Sequence, residues 1–173
     1  DFYINDAFGT AHRAHASTTI IAKFFPENRC FGSLLAQEIE SIDKVMQTGE
    51  KPVLAILGGA KVSSKITIID NILNKVDHLI IGGGMTFTFV KAQGGSVGDS
   101  ICEDDKQDLA IELIQRAKEK NVALYLPTDV VAADDFSNSA NKKELQIFNI
   151  SDGWQGLDIG TESIKVFSKV IIN

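Results

Sequence analysis

Hydrophobic positions along the chain follow two rhythms that alternate. Short unbroken apolar runs, Val53-Leu54-Ala55-Ile56-Leu57, His78-Leu79-Ile80-Ile81 and Val122-Ala123-Leu124-Tyr125-Leu126, read as strands buried on both faces of a parallel sheet. Between them apolar residues recur every three or four positions. This spacing predicts helices over about Ser63–Lys75, Met85–Gln93 and Asp104–Lys120, with a last one over about Thr161–Ile171. Asp104 and Asp105 at one end of the long helix, and Lys118 and Lys120 at the other, complement its macrodipole. Ahead of this series, DFYINDAF (Asp1–Phe8) alternates like a short strand. Leu34, Leu35, Ile39, Ile42, Val45 and Met46 predict a helix over Ser33–Thr48 that packs on one face and stops at Gly49. Alternating strands and helices imply an α/β fold with a parallel, doubly wound (Rossmann-like) sheet. Three such strands are few, so the sheet is expected to be incomplete.

Composition narrows the class. The chain has 173 residues, 44% of them apolar and 23% charged, enough for a packed core. No run approaches the roughly 20 apolar residues that cross a bilayer, and no signal peptide is evident; a cytoplasmic protein without a membrane partner is expected. The formal net charge of −6 argues against nucleic acid as a partner but leaves small anions open. Cys30 and Cys102 are far apart without metal spacing and read as reduced, buried thiols. The chain starts at Asp1 without methionine and stops just after an apolar helical pattern, which reads as cut at both ends.

Four segments concentrate candidate chemistry. Gly58-Gly59-Ala60-Lys61-Val62-Ser63-Ser64-Lys65 follows the first strand, where glycines let backbone approach a ligand and a helix start attracts phosphate. If the helix has begun by Lys61, both lysines share one face; a tight turn with two solvated lysines is the plain alternative. It is neither a Walker motif nor G-x-G-x-x-G, and a dehydrogenase would need the latter with an acidic residue about 20 positions on. The next strand ends in Gly82-Gly83-Gly84-Met85, so two glycine turns reach the edge of the sheet where α/β folds bind ligands. Helix-on-sheet packing is the alternative there. Gly153–Gly160 reads as a loop whose Gly156 and Leu157 border a flat base, with Trp154 as a packing residue. The loop Asn5–His15 gathers His12, Arg13 and His15, and arginine grips phosphate or carboxylate through paired hydrogen bonds. A solvated basic loop is the alternative, Asp6 would cap that loop through its own backbone, and His78 reads as structural.

Taken together, NDAFGTAHRAH, LAILGGAKVSSKI, IIGGGMTFTF, LPTDVVAADDF and DGWQGLDIG, in this order, resemble the phosphoglycerate kinase family over nearly the whole chain. The resemblance implies two α/β domains joined by a helix. It also implies reversible phosphoryl transfer between 1,3-bisphosphoglycerate and ADP, giving 3-phosphoglycerate and ATP, with Mg2+ accompanying the nucleotide and a monomeric intact enzyme. On this reading 1–32 is the end of the substrate domain, 33–51 the interdomain helix and linker, and 52–173 the first half of the nucleotide domain. Arg13 would bind phosphoglycerate, flanked by His12 and His15, and Lys61 would face the transferring phosphoryl group. Lys65 would hold nucleotide phosphate beside Gly59 and Ala60, Gly83 and Gly84 would form the platform beside the adenosine, and Gly156 with Leu157 the edge of the adenine pocket. Ser64 stands where many members carry aspartate, which puts that aspartate's bond in doubt. The magnesium-binding aspartate, a WNGP-type loop and a GGDT-type loop are absent from these residues, so no metal ligand is assigned and the chain alone is expected to be inactive. A non-catalytic nucleotide-binding module is the competing reading from another class.

Overall fold

The computed structural model describes residues 1–172; Asn173, the last residue of the expected nucleotide-domain segment, lies outside them. The chain divides into two compact units, Asp1–Glu50 and Lys51–Asn173.

In the first unit the strand expected over Asp1–Phe8 shrinks to β1 (Tyr3–Asn5), because a 3-10 turn begins at Phe8. β1 pairs in parallel with β2 (Arg29–Phe31), which has no clear sequence pattern. Cys30 lies in β2 and is exposed, contrary to the expected buried thiol. Helix α1 (Ser33–Thr48) has the expected limits, but of its apolar residues only Leu35 is buried, while Leu34, Ile42 and Val45 stay about half exposed; the face expected to pack is largely uncovered. Asp6 does not cap its own loop. Its carboxylate accepts the N–H of Leu35 at 2.9 Å in the first turn of α1. It occupies the space a Cβ on Gly32 would need, 2.3 Å from the Asp6 Cγ, so glycine is required before the helix.

The second unit opens with β3 (Leu54–Leu57), followed by a 3-10 turn at Ser63–Lys65 and the short helix α2 (Ile66–Ile72). Then come β4 (His78–Ile81), α3 (Met85–Ala92), β5 (Ser96–Val97), a 3-10 turn at Asp104–Lys106 and α4 (Gln107–Glu119). The chain continues through β6 (Ala123–Tyr125), β7 (Asp129–Ala133), β8 (Lys142–Gln146), β9 (Asn149–Ile150), β10 (Gln155–Ile159) and α5 (Thr161–Ile172). The three expected strands form one parallel sheet in the order β3-β4-β6, as an α/β fold requires; the expected burial on both faces holds only for β4 at Leu79–Ile81, since β6 is half-buried and Ile56 of β3 is exposed at the sheet edge. Beside it stands an antiparallel sheet, β10-β7-β8, that the hydrophobic pattern did not announce. The segment read as a loop at Gly153–Gly160 therefore contains a strand. Its glycines misled, because β10 uses Gly156 to pass the Phe87 ring rather than to turn. Asp104 and Asp105 precede α4 and pair with Lys91 and Lys106 instead of occupying its first turn.

Helix α3 joins the two sheets. Residues Met85–Val90 are all buried, Met85 and Phe89 in the cluster of the parallel sheet, Phe87 and Val90 in the cluster of the antiparallel one. A helix apolar on all sides is stable only when enclosed, as here. His78 accepts or donates a 3.2 Å bond with the Tyr125 hydroxyl, holding the start of β4 to the end of β6.

Asp129, at the start of β7, receives the N–H groups of Glu162 (2.9 Å) and Ser163 (2.7 Å) and the Ser163 hydroxyl, so it caps α5 across 33 residues. Burial pushes its carboxyl up, but the bonds from Ser163 and from the Glu162 and Ser163 N–H groups outweigh this and hold it below its ordinary value. The folded state thus prefers the carboxylate more than the unfolded chain does. Its stabilisation is complete above the unfolded value near about pH 4 and fades as pH falls through the lower folded value. Asp129→Asn should cost about 2 kcal/mol at neutral pH. It should also flatten the loss of stability between about pH 5 and 3, measured by urea unfolding at each pH.

Candidate nucleotide and phosphate site

At the carboxyl ends of β3 and β4 the two glycine turns touch through backbone. A Cβ on Gly83, whose φ is +70°, would lie 2.8 Å from the amide nitrogen of Gly59 and 2.9 Å from its carbonyl oxygen. Met85 donates its N–H to the Gly59 carbonyl at 2.8 Å, and Gly82 donates to the Leu57 carbonyl at 2.8 Å. Ala60 sits against Gly84, 3.4 Å from where a Cβ would stand. Two turns separated by 24 positions in sequence become one backbone platform.

Among the described residues the N–H groups of Gly59, Ala60 and Lys61 meet no acceptor, and neither Lys61 nor Lys65 pairs with a carboxylate. Consecutive unused N–H groups in a turn form a concave anion-binding surface. The stem of Lys65 lies along Gly59, its Cε 3.5 Å from the Cβ position there. The helix expected over about Ser63–Lys75 is shorter, Ile66–Ile72, and the condition for a shared lysine face, a helix begun by Lys61, is not met. A 3-10 turn occupies Ser63–Lys65 and α2 starts only at Ile66, so Lys61 belongs to the turn and the four-residue helical spacing does not relate the two lysines. The Ser64 hydroxyl donates to the Lys61 carbonyl at 2.9 Å, a local bond that an aspartate at this position could not donate.

Next to the platform is a small cleft of about 70 Å³. Gly83 and Gly84 line one side, Gly156 and Leu157 the other, with Phe87 and Pro127 among its walls. Gly156 is dictated by Phe87, whose ring would lie 2.4 Å from a Cβ there. The ladder between β10 and β7 shifts register between Gly156 and Asp158, so Leu157 falls at a bulge and remains exposed. Lys61 and Lys65 do not line this cleft; they reach it only through the contact of Gly59 with Gly83. Trp154 packs against the second core cluster with the Lys143 ammonium 3.7 Å over its ring.

In the first unit His12, Arg13 and His15 are all exposed. Arg13 donates from Nε to His12 Nε2 at 3.2 Å, which requires the His12 proton on Nδ1, and its other guanidinium N–H groups have no carboxylate partner among the described residues. The His15 carbonyl accepts the N–H of Thr19 at 2.9 Å and starts the π-helical turn Ala16–Ile20.

A sequence profile of the phosphoglycerate kinase family matches residues 1–173. Phosphoglycerate kinase of Nostoc punctiforme is 53% identical over 171 residues, covering 99% of this chain and 42% of that protein. The cytosolic phosphoglycerate kinase 3 of Arabidopsis thaliana is 54% identical with the same coverage. The structure of phosphoglycerate kinase from Coxiella burnetii superposes with a TM-score of 0.87 at 41% identity, covering 99% of this chain and 44% of that one. This chain belongs to the phosphoglycerate kinase family. It spans about two fifths of the length of the curated relatives it matches.

Within this chain the expected nucleotide residues fall into two adjoining groups, Gly59, Ala60, Lys61 and Lys65 on the turn after β3, and Gly83, Gly84, Gly156 and Leu157 around the cleft. Phe87, whose ring shapes the cleft, reads in the sequence as an ordinary core position. Glu103 is likewise not among the site residues expected from sequence. Its carboxylate accepts the Ser63 N–H at 3.0 Å and the Ser63 hydroxyl at 2.5 Å, 40 residues apart in sequence, which no local signal shows. Burial raises the Glu103 carboxyl, but these bonds and one from the Val62 N–H outweigh it and hold the group below its ordinary range. Among the described residues no group of three or more His, Cys, Asp or Glu could hold a metal ion.

The platform supplies its own test. Gly83→Ala combines a positive φ with a backbone clash and should destabilise by about 2–4 kcal/mol. Gly94→Ala, with φ +87° and nothing within 4 Å, should cost only the conformational part, about 1 kcal/mol. Denaturant unfolding of both variants separates the two contributions.

Proposed function

We propose that this chain supplies part of an enzyme that moves a phosphoryl group from 1,3-bisphosphoglycerate to ADP and back, giving 3-phosphoglycerate and ATP in glycolysis. The observation that carries the reading is the turn Gly59–Lys61, three N–H donors without acceptors flanked by two unpaired lysines, beside a glycine-lined cleft. In transfer from the acyl phosphate, the bond between phosphorus and the carboxyl oxygen breaks as the terminal oxygen of ADP bonds to phosphorus. The electron pair stays on the 3-phosphoglycerate carboxylate. No proton needs to be removed from either partner, so the protein needs no general base.

Its task is to bring charge to where oxygens carry it in the transition state. Lys61, at the turn itself, would face the phosphoryl group in flight, while Lys65, lying along Gly59, would hold the nucleotide phosphates together with the Gly59 and Ala60 N–H groups. The cleft of Gly83, Gly84, Gly156 and Leu157 would take the adenosine, and Arg13, with His12 and His15, would grip the phosphoglycerate. Magnesium would accompany the nucleotide and neutralise phosphate charge when bound, through ligands other than a cluster in these residues. We assign 1–32 to the end of the substrate domain, 33–51 to the interdomain helix and linker, and 52–173 to the first half of the nucleotide domain. A monomeric, cytoplasmic enzyme fits this assignment; no helix among the described residues is long and apolar enough to cross a membrane.

The test is kinetic, in a full-length protein containing this sequence. Lys65→Ala should weaken ADP binding by about 10- to 100-fold, the loss of one charge-assisted contact. Lys61→Ala should mainly lower kcat. Arg13→Ala should weaken 3-phosphoglycerate binding by a similar factor and leave ADP binding alone, measured by calorimetry. Unchanged ADP affinity in Lys65→Ala, or a Lys61→Ala variant with only KM raised, contradicts the respective role.

A further inference from the structure

Between Lys61 and Lys65 the chain is pinned from two sides. The Val62 side chain is fully buried in the cluster of the parallel sheet. Ser63 gives both its N–H and its hydroxyl to Glu103, the two bonds going to different carboxylate oxygens at 3.0 and 2.5 Å. Glu103 is itself tied down, since its N–H donates to the Thr88 hydroxyl at 3.1 Å and Thr88 is wholly buried on α3. The Lys65 N–H closes on the Val62 carbonyl at 2.8 Å, and the Ser64 hydroxyl on that of Lys61 at 2.9 Å, so both lysines hang from the segment that Glu103 holds. The other end of the turn is held by Gly59 against Gly83. The same helix, α3, therefore sets both ends of the lysine turn, through Met85 on one side and Thr88 with Glu103 on the other.

We propose that Glu103 is a positioning residue of this site, acting through Ser63 to hold the backbone from which Lys61 and Lys65 reach the phosphate chain of the nucleotide. The proposal rests on the nucleotide reading of those lysines. Glu103 does not touch the reacting atoms. Its oxygens are engaged by Ser63, which leaves it to fix where the two ammonium groups begin. A displacement of about 1 Å at such a distance from the chemistry is enough to change rates substantially.

The experiment compares Glu103→Ala, Glu103→Gln, Ser63→Ala and Lys65→Ala in the full-length protein, by steady-state kinetics with both substrates varied and by thermal melting. Glu103→Ala should raise the KM for ADP about tenfold and lower kcat, with the KM for 1,3-bisphosphoglycerate unchanged. Glu103→Gln should restore most of this, because its amide oxygen accepts the Ser63 N–H and its NH2 donates to the Ser63 hydroxyl. A lower melting temperature with an unchanged KM for ADP and unchanged kcat would make Glu103 merely structural and overturn the proposal. If Glu103→Ala does not fold, Ser63→Ala decides, a raised KM for ADP alone supporting the role and unchanged kinetics ending it. Lys65→Ala separates the two failures. If it weakens ADP binding while the Glu103 and Ser63 variants do not, the nucleotide reading stands and the positioning role is wrong; if it has no effect on ADP, the nucleotide reading itself fails.

Discussion

Backbone can press against backbone only where no Cβ stands in the gap, and the contact of Gly59 with Gly83 is such a place. A methyl group on Gly83 would come within 3 Å of two Gly59 atoms, closer than folded proteins tolerate. The proximity lets Met85 bond to the Gly59 carbonyl, which sets where α3 begins; among the described residues the N–H groups of Gly59, Ala60 and Lys61 meet no acceptor. The arrangement around the parallel sheet's carboxyl edge follows from that one contact. Gly59 belongs to the lysine turn, Gly83 lines the cleft, and α3 starts directly after the contact at Met85.

Helix α3 carries the consequence into the cores. Because its Met85 and Phe89 fill one cluster and its Phe87 and Val90 the other, the parallel and antiparallel sheets are held at a common element rather than by a loop. Phe87 then dictates Gly156 on β10, and the bulge beside Gly156 exposes Leu157 at the cleft. Close packing transmits position here because interiors have little free volume to absorb a shift.

A second device recurs in both units. Asp6 caps α1 over Gly32, and Asp129 caps α5 over Gly160; a Cβ on either glycine would lie 2.3 Å from the carboxyl atoms above it. Asp6 directly follows β1 and Asp129 opens β7, both far from their helices in sequence, so each ties a strand end to a helix while satisfying N–H groups that the helix start would otherwise leave open. The exposed Asp6, the buried Asp129 and the half-buried Glu103 thus all spend their carboxylates on backbone N–H groups, while among the described residues the lysines at the platform have no carboxylate partner. That division of charge suits an anionic ligand.

What the sequence by itself determined is the part governed by short range. The strands of the parallel sheet are legible because they are short unbroken apolar runs, of which Leu79–Ile81 in the middle strand is buried on both faces. Helix α1 is legible from its period and from Gly49, and the two glycine turns from their place directly after strands. Five ordered motifs were enough to point to the family. The tertiary structure alone decided that the two turns touch, that Gly153–Gly160 holds a strand, and that α2 starts only at Ile66, past both lysines. It also decided that Glu103 reaches Ser63. Each of these depends on partners between 20 and 70 positions away, whose approach is set by packing and by hydrogen bonds that leave no periodic trace along the chain. A glycine in sequence says only that a side chain is missing; whether it turns the chain, faces a phenylalanine ring or lies under an aspartate is settled by what the fold brings to it.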